Sequence, residues 1–382
     1  MKRKYQYGSS LLLVAALVAA GCGSDKGGTQ PAGSSASPTT KAPSTTAAGN
    51  STVTTKPAGK SAEGISVAFI PHFRSPFTQI MIDGAQAAVG EFPGAKLVVA
   101  GPTGFDAPAA IAALDDAVAS GVQGAAVVPF PAEVWTKPLK EHIAKGLVVA
   151  TLNVPALDSG APLYVGVNEF SIGSGIADVA IGTLGANPTG PVVLGNCAPG
   201  VQVLSDRIDG FNAEVAKRAP GLKVAKAIDV GAEPTANLGA WEAAVAANPD
   251  AVAFAGFCAF DTPNLVRVKE KKGGKFVIAG GDLEPDTLKG IKDGSITASV
   301  SQSPFMQGYV AVRAILEKLV NGTPMPNGWI DAGIETVDSK TIDAVTARET
   351  DPTKMKASYQ KAIDKIFADS AAAAQPTDKL RG

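Results

Sequence analysis

Residues 65–89 read "ISVAFIPHFRSPFTQIMIDGAQAAV". Five of the first six are apolar, with Ser66 the exception, the pattern of a strand buried on both faces. Ser75 suits an N-cap and Pro76 the first helical position, so the stretch predicts a strand, a short loop and a helix that begins at Pro76. The loop carries His72, Phe73 and Arg74 where a plain connection would use Gly, Asn or Asp, and Phe77 follows in the first helical turn. Aromatic and cationic side chains at the carboxyl end of a strand point to a ligand-facing rim. The plainer alternative is that Phe73 and Phe77 only pack that rim.

The same unit recurs along the chain. Strand candidates at 65–70, 96–100, 124–128, 147–152 and 163–167 form one series, and candidates at 191–196, 222–228, 251–255, 276–280 and 296–300 form a second. Longer Ala-rich amphipathic segments separate them, which predicts an α/β fold with parallel sheets covered on both faces. The two series look like copies. "IDGAQAAV" (82–89) matches "IDGFNAEV" (208–215), "AVASGVQGAAVVPF" (117–130) matches "AVAANPDAVAFAGF" (244–257), and "KGLVVATLN" (145–153) echoes "GGKFVIAGGD" (273–282). Three matches in one order imply two similar doubly wound, Rossmann-like lobes. Ligands of open parallel sheets sit beyond the strands' carboxyl ends, so two lobes facing across those ends would enclose one guest.

The ends of the chain read differently. Residues 1–22 combine Lys2, Arg3 and Lys4 with a short apolar run from Leu11 to Ala20, and end in "VAAGC". This resembles a bacterial lipoprotein signal cut before Cys22, which would carry the lipid and hold the protein to the outer face of the cell membrane. Ala19 departs mildly from the larger residue usual three before the cysteine. An ordinary secretory signal with an incidental Cys22 is the alternative. Residues 23–62 hold almost no large apolar side chain and cannot offset their ordering entropy, so they read as a flexible tether. At the other end, "MKASYQKAIDKI" (355–366) reads as an extra helix followed by a frayed Ala-rich end. With 34 Lys and Arg against 35 Asp and Glu and no basic block, neither nucleic acid nor an anionic membrane surface is an expected partner.

Catalytic signatures are missing. The chain has no phosphate-loop or nucleophile-elbow motif, and its two histidines, His72 and His142, have no closely spaced ligand cluster around them, so no metal and no cofactor is expected. "IGSGIAD" (172–178) lacks the third glycine of a dinucleotide fingerprint. What remains is a set of polar residues at strand ends: Asn153 after "LVVATL", Asp282 after "FVIAGG", and Gln302 after "ITASVS". Arg207 lies on the helix after the first strand of the second series. Amides, a carboxylate and a guanidinium can pair with several hydroxyls at once, and aromatic faces can cover a sugar ring. For each the alternative is a cap, a turn residue or a surface charge.

"SPFTQIMIDGAQAAV", "SDRIDGFNAEV", "IAGGDLEPD", "DGSITASVSQSPFMQGYVAVRAI" and "LVNGTP" together resemble periplasmic sugar-binding proteins of the ribose-binding type, from about Ile65 to Ile334. The resemblance implies a receptor of an ABC importer, not an enzyme, working as a monomer with a membrane permease and its ATPase as partners. It implies two lobes, 63–166 plus 301–329 and 167–300 plus 330–340, with a helical extension at 341–382. Three hinge strands would cross near Val165–Asn168, Val300–Gln302 and Trp329–Asp331. The family's cleft asparagine falls on Ser75 and its two stacking aromatics on Phe77 and Thr78. Its helix arginine falls on Arg207, its aspartate on Asp282 and its hinge glutamine on Gln302. Two departures stand out: Asn153-Val154 replaces Asp-Arg, and Phe257-Cys258 replaces Asn-Asp. Ribose itself is therefore doubtful, and a less polar sugar derivative, a polyol or another small metabolite stays open. A signalling receptor and an amino-acid receptor share the fold. Cys197 and Cys258 would end neighbouring strands and could form a disulfide; two buried thiols are the alternative.

Overall fold

The computed structural model describes residues 61–380. The signal, Cys22 and the tether up to residue 60 lie outside the described residues. The tether's expected end is not polar slack: Ala62 is fully buried, and its N–H donates to Pro93 O at 3.0 Å.

The first half runs β1 (Ser66–Ile70), α1 (Pro76–Val89), β2 (Lys96–Val99), α2 (Ala107–Ala119), β3 (Gly124–Val127), α3 (Ala132–Ala144), β4 (Val148–Leu152) and β5 (Leu163–Gly166). The second runs α4 (Glu169–Leu184), β6 (Gly190–Asn196), α5 (Gln202–Arg218), β7 (Leu222–Val224), β8 (Ile228–Asp229), α6 (Pro234–Ala247), β9 (Ala253–Gly256), α7 (Asp261–Lys272), β10 (Val277–Ala279), α8 (Pro285–Asp293) and β11 (Ala298–Ser301). There follow α9 (Pro304–Leu316), β12 (Gly328–Asp331), β13 (Glu335–Asp338), α10 (Ile342–Glu349), α11 (Pro352–Ala368) and α12 (Ser370–Ala373). The strand expected at 222–228 is two short strands, β7 and β8, not one.

Two parallel sheets result, ordered β12-β5-β4-β3-β1-β2 and β10-β9-β6-β7, with β8 also paired to β6. Their central strands are buried along their whole length, as continuous apolar runs require. The α/β expectation, two doubly wound sheets, is what the chain adopts. A third, antiparallel pair, β11-β13, adjoins the second sheet through a bridge between Gly281 and Val300. The chain passes between the halves after β5, after β11 and after β12, because α4 packs on α5 and β10 while α9 packs on α1, β3 and β4.

Glycines explain the repeated "IDG" motif. A Cβ on Gly84 in α1 would lie 2.0 Å from Phe305 O, and one on Gly308 in α9 would lie 1.9 Å from Met81 O. The second half repeats the device: a Cβ on Gly173 in α4 would lie 1.8 Å from Arg207 O, and one on Gly210 in α5 would lie 1.9 Å from Phe170 O. In each half two helices cross backbone on backbone, and any side chain at the crossing would force them apart. The first glycine of "IGSGIAD", Gly173, therefore serves packing.

The C-terminal segment is not an appendage. Helix α10 packs on α8, and α11 packs on α1 and α9. Lys292 reaches Asp343 at 3.1 Å, Lys356 reaches Glu91 at 2.7 Å, and Tyr359 stacks on Phe305 at 5.9 Å between centroids. The expected frayed end is instead docked: Gln375 exchanges both backbone hydrogen bonds with Trp329, and Leu380 is buried with Trp329 and Tyr164.

Gly173→Ala should lower the unfolding free energy by about 1–3 kcal/mol through overpacking at the α4–α5 crossing. Gly182→Ala, in the last turn of the same helix with open space around it, should raise it by about 0.4–1 kcal/mol. Urea titrations of both variants decide; matching effects would mean the crossing relaxes freely and does not fix the helix separation.

Candidate functional site

The loop after β1 is fixed before it meets any ligand. Ser75 Oγ accepts from the Thr78 N–H at 3.2 Å, and Thr78 Oγ1 accepts from the Ser75 N–H at 2.9 Å, a reciprocal capping box. Thr78 Oγ1 also donates to Phe73 O at 2.8 Å. This turns His72, Phe73 and Phe77 toward a cavity of about 400 Å³ that both halves line. Thr78, where the family resemblance put a stacking aromatic, is fully buried and is absent from the lining.

Eight of the nine residues singled out in the sequence line this one cavity: His72, Ser75, Phe77, Asn153, Arg207, Phe257, Asp282 and Gln302. Arg74 does not. It is exposed, its N–H donates to Pro102 O at 2.9 Å, and the cavity wall excludes it. Neighbouring loop residues point different ways, and Arg74 points to solvent.

Asn153 directly follows β4 and Asp282 lies three residues past β10, both in the left-handed region at φ 65. Asn and Asp tolerate that conformation better than other side-chain-bearing residues, so the backbone restricts these positions too. Ser303, just past the second crossing, has φ 50. Two of the four described non-glycine residues with positive φ thus line the cavity, and Ser303 adjoins the lining residue Gln302.

Gln302 joins the polar floor. Its Nε2 donates to Asp282 Oδ1 at 3.0 Å, and its Oε1 accepts from Asn153 Nδ2 at 2.8 Å and from Arg207 Nη2 at 3.3 Å. Arg207 Nε donates to Glu169 Oε2 at 2.6 Å, and Nη1 donates to Phe257 O at 2.7 Å. Burial raises the Glu169 carboxyl above its usual range while Arg207 pulls it back, and burial likewise raises Asp282 against the pull of Arg207. Burial also drives the His72 ring down to about 3, so this imidazole is neutral in the working range.

Cys197 and Cys258 are bonded, with Cα atoms 6.3 Å apart. They follow β6 and β9, which are neighbours in the second sheet. Fully buried Asp261 holds the same loop, accepting from the Cys258 N–H at 2.9 Å, Trp241 Nε1 at 2.9 Å and Asn237 Nδ2 at 2.6 Å. Burial raises its carboxyl to about 6 despite those donors.

Several lining residues escaped the sequence reading, above all Phe105, Phe130, Phe260 and Glu284. Phe105 precedes Asp106, the N-cap of α2, and Phe130 stands at the end of the loop after β3. The available signal was an aromatic residue within a few positions of a strand's carboxyl end. Glu169, the partner of Arg207, stands in the first turn of α4, a common place for an acidic residue that carries no sign of this role.

Comparison with known proteins adds to this geometry. A xylose/arabinose-binding protein of Sulfolobus acidocaldarius is 25% identical over 244 residues, a match covering 60% of this chain and 60% of that protein. An ABC transporter solute-binding protein of Burkholderia graminis, solved in complex with D-arabinose, superposes with a TM-score of 0.68 at 26% identity, covering 74% of this chain and 98% of that one. One from Actinobacillus succinogenes with bound D-allose shares the fold at 20% identity, with a TM-score of 0.67 over 73% of this chain and 99% of that one. The model of the periplasmic binding protein domain matches residues 67–323, and the chain belongs to that family.

Proposed function

We propose that this protein is the sugar-capturing receptor of an ABC importer. It takes a small sugar or sugar-like molecule into the cleft between its halves, returns it unchanged to a membrane permease served by an ATPase, and works as a monomer. A lipid on Cys22 would hold it at the outer face of the cell membrane; no helix among the described residues is long and apolar enough to cross one. The observation that carries the reading is the network Asn153–Gln302–Asp282 with Arg207, which draws residues of both halves onto one cavity floor. The arabinose complex of the Burkholderia graminis relative supports the ligand class.

An amino-acid ligand fits less well. It would need a free cation for its carboxylate, and Arg207 already spends its guanidinium on Glu169, Phe257 O and Gln302. Closure would follow from the ligand's differential contacts with the two halves.

Two measurements test this reading. At about a hundred times its Kd, a bound ligand adds about 2.7 kcal/mol of stability, so a thermal-shift screen of pentoses, hexoses and their glycosides, with amino acids as controls, should show a clear rise in Tm for sugars alone. Asp282→Asn keeps the left-handed backbone conformation and should weaken binding tenfold or more, with the ligand-free melt held or raised because a buried charge is gone. Unchanged binding by that variant would remove Asp282 from the site.

Glu284 gives a separate test, of the electrostatics of the cavity wall. Burial first, then Asp282 and Asp286, push its carboxyl up to about 8. The folded value exceeds the unfolded one, about 4.3, so the folded state keeps a proton that the unfolded chain has lost. The stability linked to this proton is present at low pH and disappears as pH rises through about 8. Relative to Glu284→Gln, the natural protein should lose up to about 1.4 kcal/mol per pH unit across that window. Denaturant melts at about pH 5, 7 and 9 give the difference; a flat one rejects the assignment.

A further inference from the structure

We infer that the guest of this cleft is a sugar bearing an apolar substituent, its hydroxyls on the hinge-side floor and its substituent among the aromatic rings of the outer loops. This rests on the sugar-receptor reading above and narrows it.

The strand order sorts the cavity wall by polarity. In the first sheet β12, β5 and β4 lie on the hinge side, and β3, β1 and β2 lie beyond them. Asn153 leaves β4, while Phe130, His72 with Phe73, and Phe105 leave β3, β1 and β2. These four rings form one continuous surface. Phe73 and Phe105 lie 4.2 Å apart between centroids, His72 and Phe73 4.7 Å, Phe105 and Phe130 5.2 Å, and His72 and Phe130 5.6 Å. Phe73, Phe105 and Phe130 keep part of their surface open, and all four rings line the cavity. Phe257, Phe260, Leu204 and Pro263 line it from the second half.

Two rings are enough to sandwich the two faces of one sugar. Four linked rings on one side, with two phenylalanines opposite, make more apolar wall than a bare monosaccharide can cover. The floor points the same way. Gln302 uses both ends of its amide inside the protein, and all three guanidinium nitrogens of Arg207 already have partners. Among the described residues, no donor bonds Asp282 Oδ2 or Asn153 Oδ1, so these oxygens are open to hydroxyls. A free sugar carries hydroxyls around its whole edge, and those turned to the three phenylalanines Phe73, Phe105 and Phe130 would lose water without gaining a partner. An apolar group at that edge removes the penalty and covers the rings.

Isothermal titration of the protein with D-arabinose, D-xylose and D-galactose, each free and as its phenyl glycoside, tests the inference. For at least one sugar the phenyl glycoside should bind at least tenfold tighter than the free form. Phe105→Ala should cut that ratio fivefold or more, and Phe73→Ala should repeat the effect from a second loop; circular dichroism shows that both variants are folded. If free sugars bind as tightly as their phenyl glycosides, or if the variants leave the ratio unchanged, the substituent is rejected while sugar capture stands. If no sugar binds in either form, the sugar-receptor reading fails and takes this inference with it.

Discussion

A buried ion pair organises the cleft. Arg207 and Glu169 are both more than nine-tenths buried and touch at 2.6 Å. Removing two charges from water is costly, so such a pair persists only with tight geometry and with its remaining hydrogens used. The geometry is tight and the other Arg207 nitrogens meet Phe257 O and Gln302, while Glu169 Oε1 is buried without a partner among the described residues. The geometry comes from the crossing of α4 and α5, where Gly173 lets the Arg207 backbone approach. A packing constraint thus sets the charge, the charge orients Gln302, and Gln302 holds a residue from each half.

The two halves solve one backbone problem with related residues. Asn153 and Asp282 both leave a strand at φ 65 and extend the ladder by one bond, Asn153 N–H to Val165 O at 3.0 Å and Asp282 N–H to Val300 O at 2.8 Å. Few residue types suit that turn, so an amide in one half and a carboxylate in the other is how duplicated scaffolds diverge without altering their shape. The glycine crossings follow the same rule: both survive, while the side chains around them differ.

Which parts were legible in the sequence follows from range. Strands and helices came through because apolar runs and capping residues are local signals, as at Ser75 and Pro76. Asn153, Asp282 and Gln302 were found because topology makes a strand end a cleft position. Phe105 and Phe130 obey the same topology, yet an aromatic near a strand end also suits plain packing, so only the assembled wall separates the two. Glu169 gave no sign, because its role depends on Arg207, 38 positions away. Arg74 looked like its neighbours, and only the direction of its side chain sets it apart. The tail misled through composition: an Ala-rich end reads as loose, and its hydrogen bonds with Trp329 are long-range.

The tail also bears on how the cleft can open. Gln375 pairs with Trp329 on β12, Asn168 Nδ2 donates to Lys379 O at 3.3 Å, and Leu380 packs on Tyr164. Two of the three crossings are therefore tied to one strap. Tyr164 in turn donates its hydroxyl to Asn153 O at 3.1 Å, which links the strap to the cavity floor. A fourth connection runs from α10, packed on α8, to α11, packed on α1 and α9, and it turns at Thr350 and Asp351. Within the second half, the Cys197–Cys258 bond and Asp261 stiffen the loops that face the guest. Rotation of one half against the other must then be absorbed at a few short segments: 167–168, 302–303, 332–334 and 350–351. Because those segments are short, any rotation of the halves would be confined to a narrow range of angles, and a ligand would select among few arrangements.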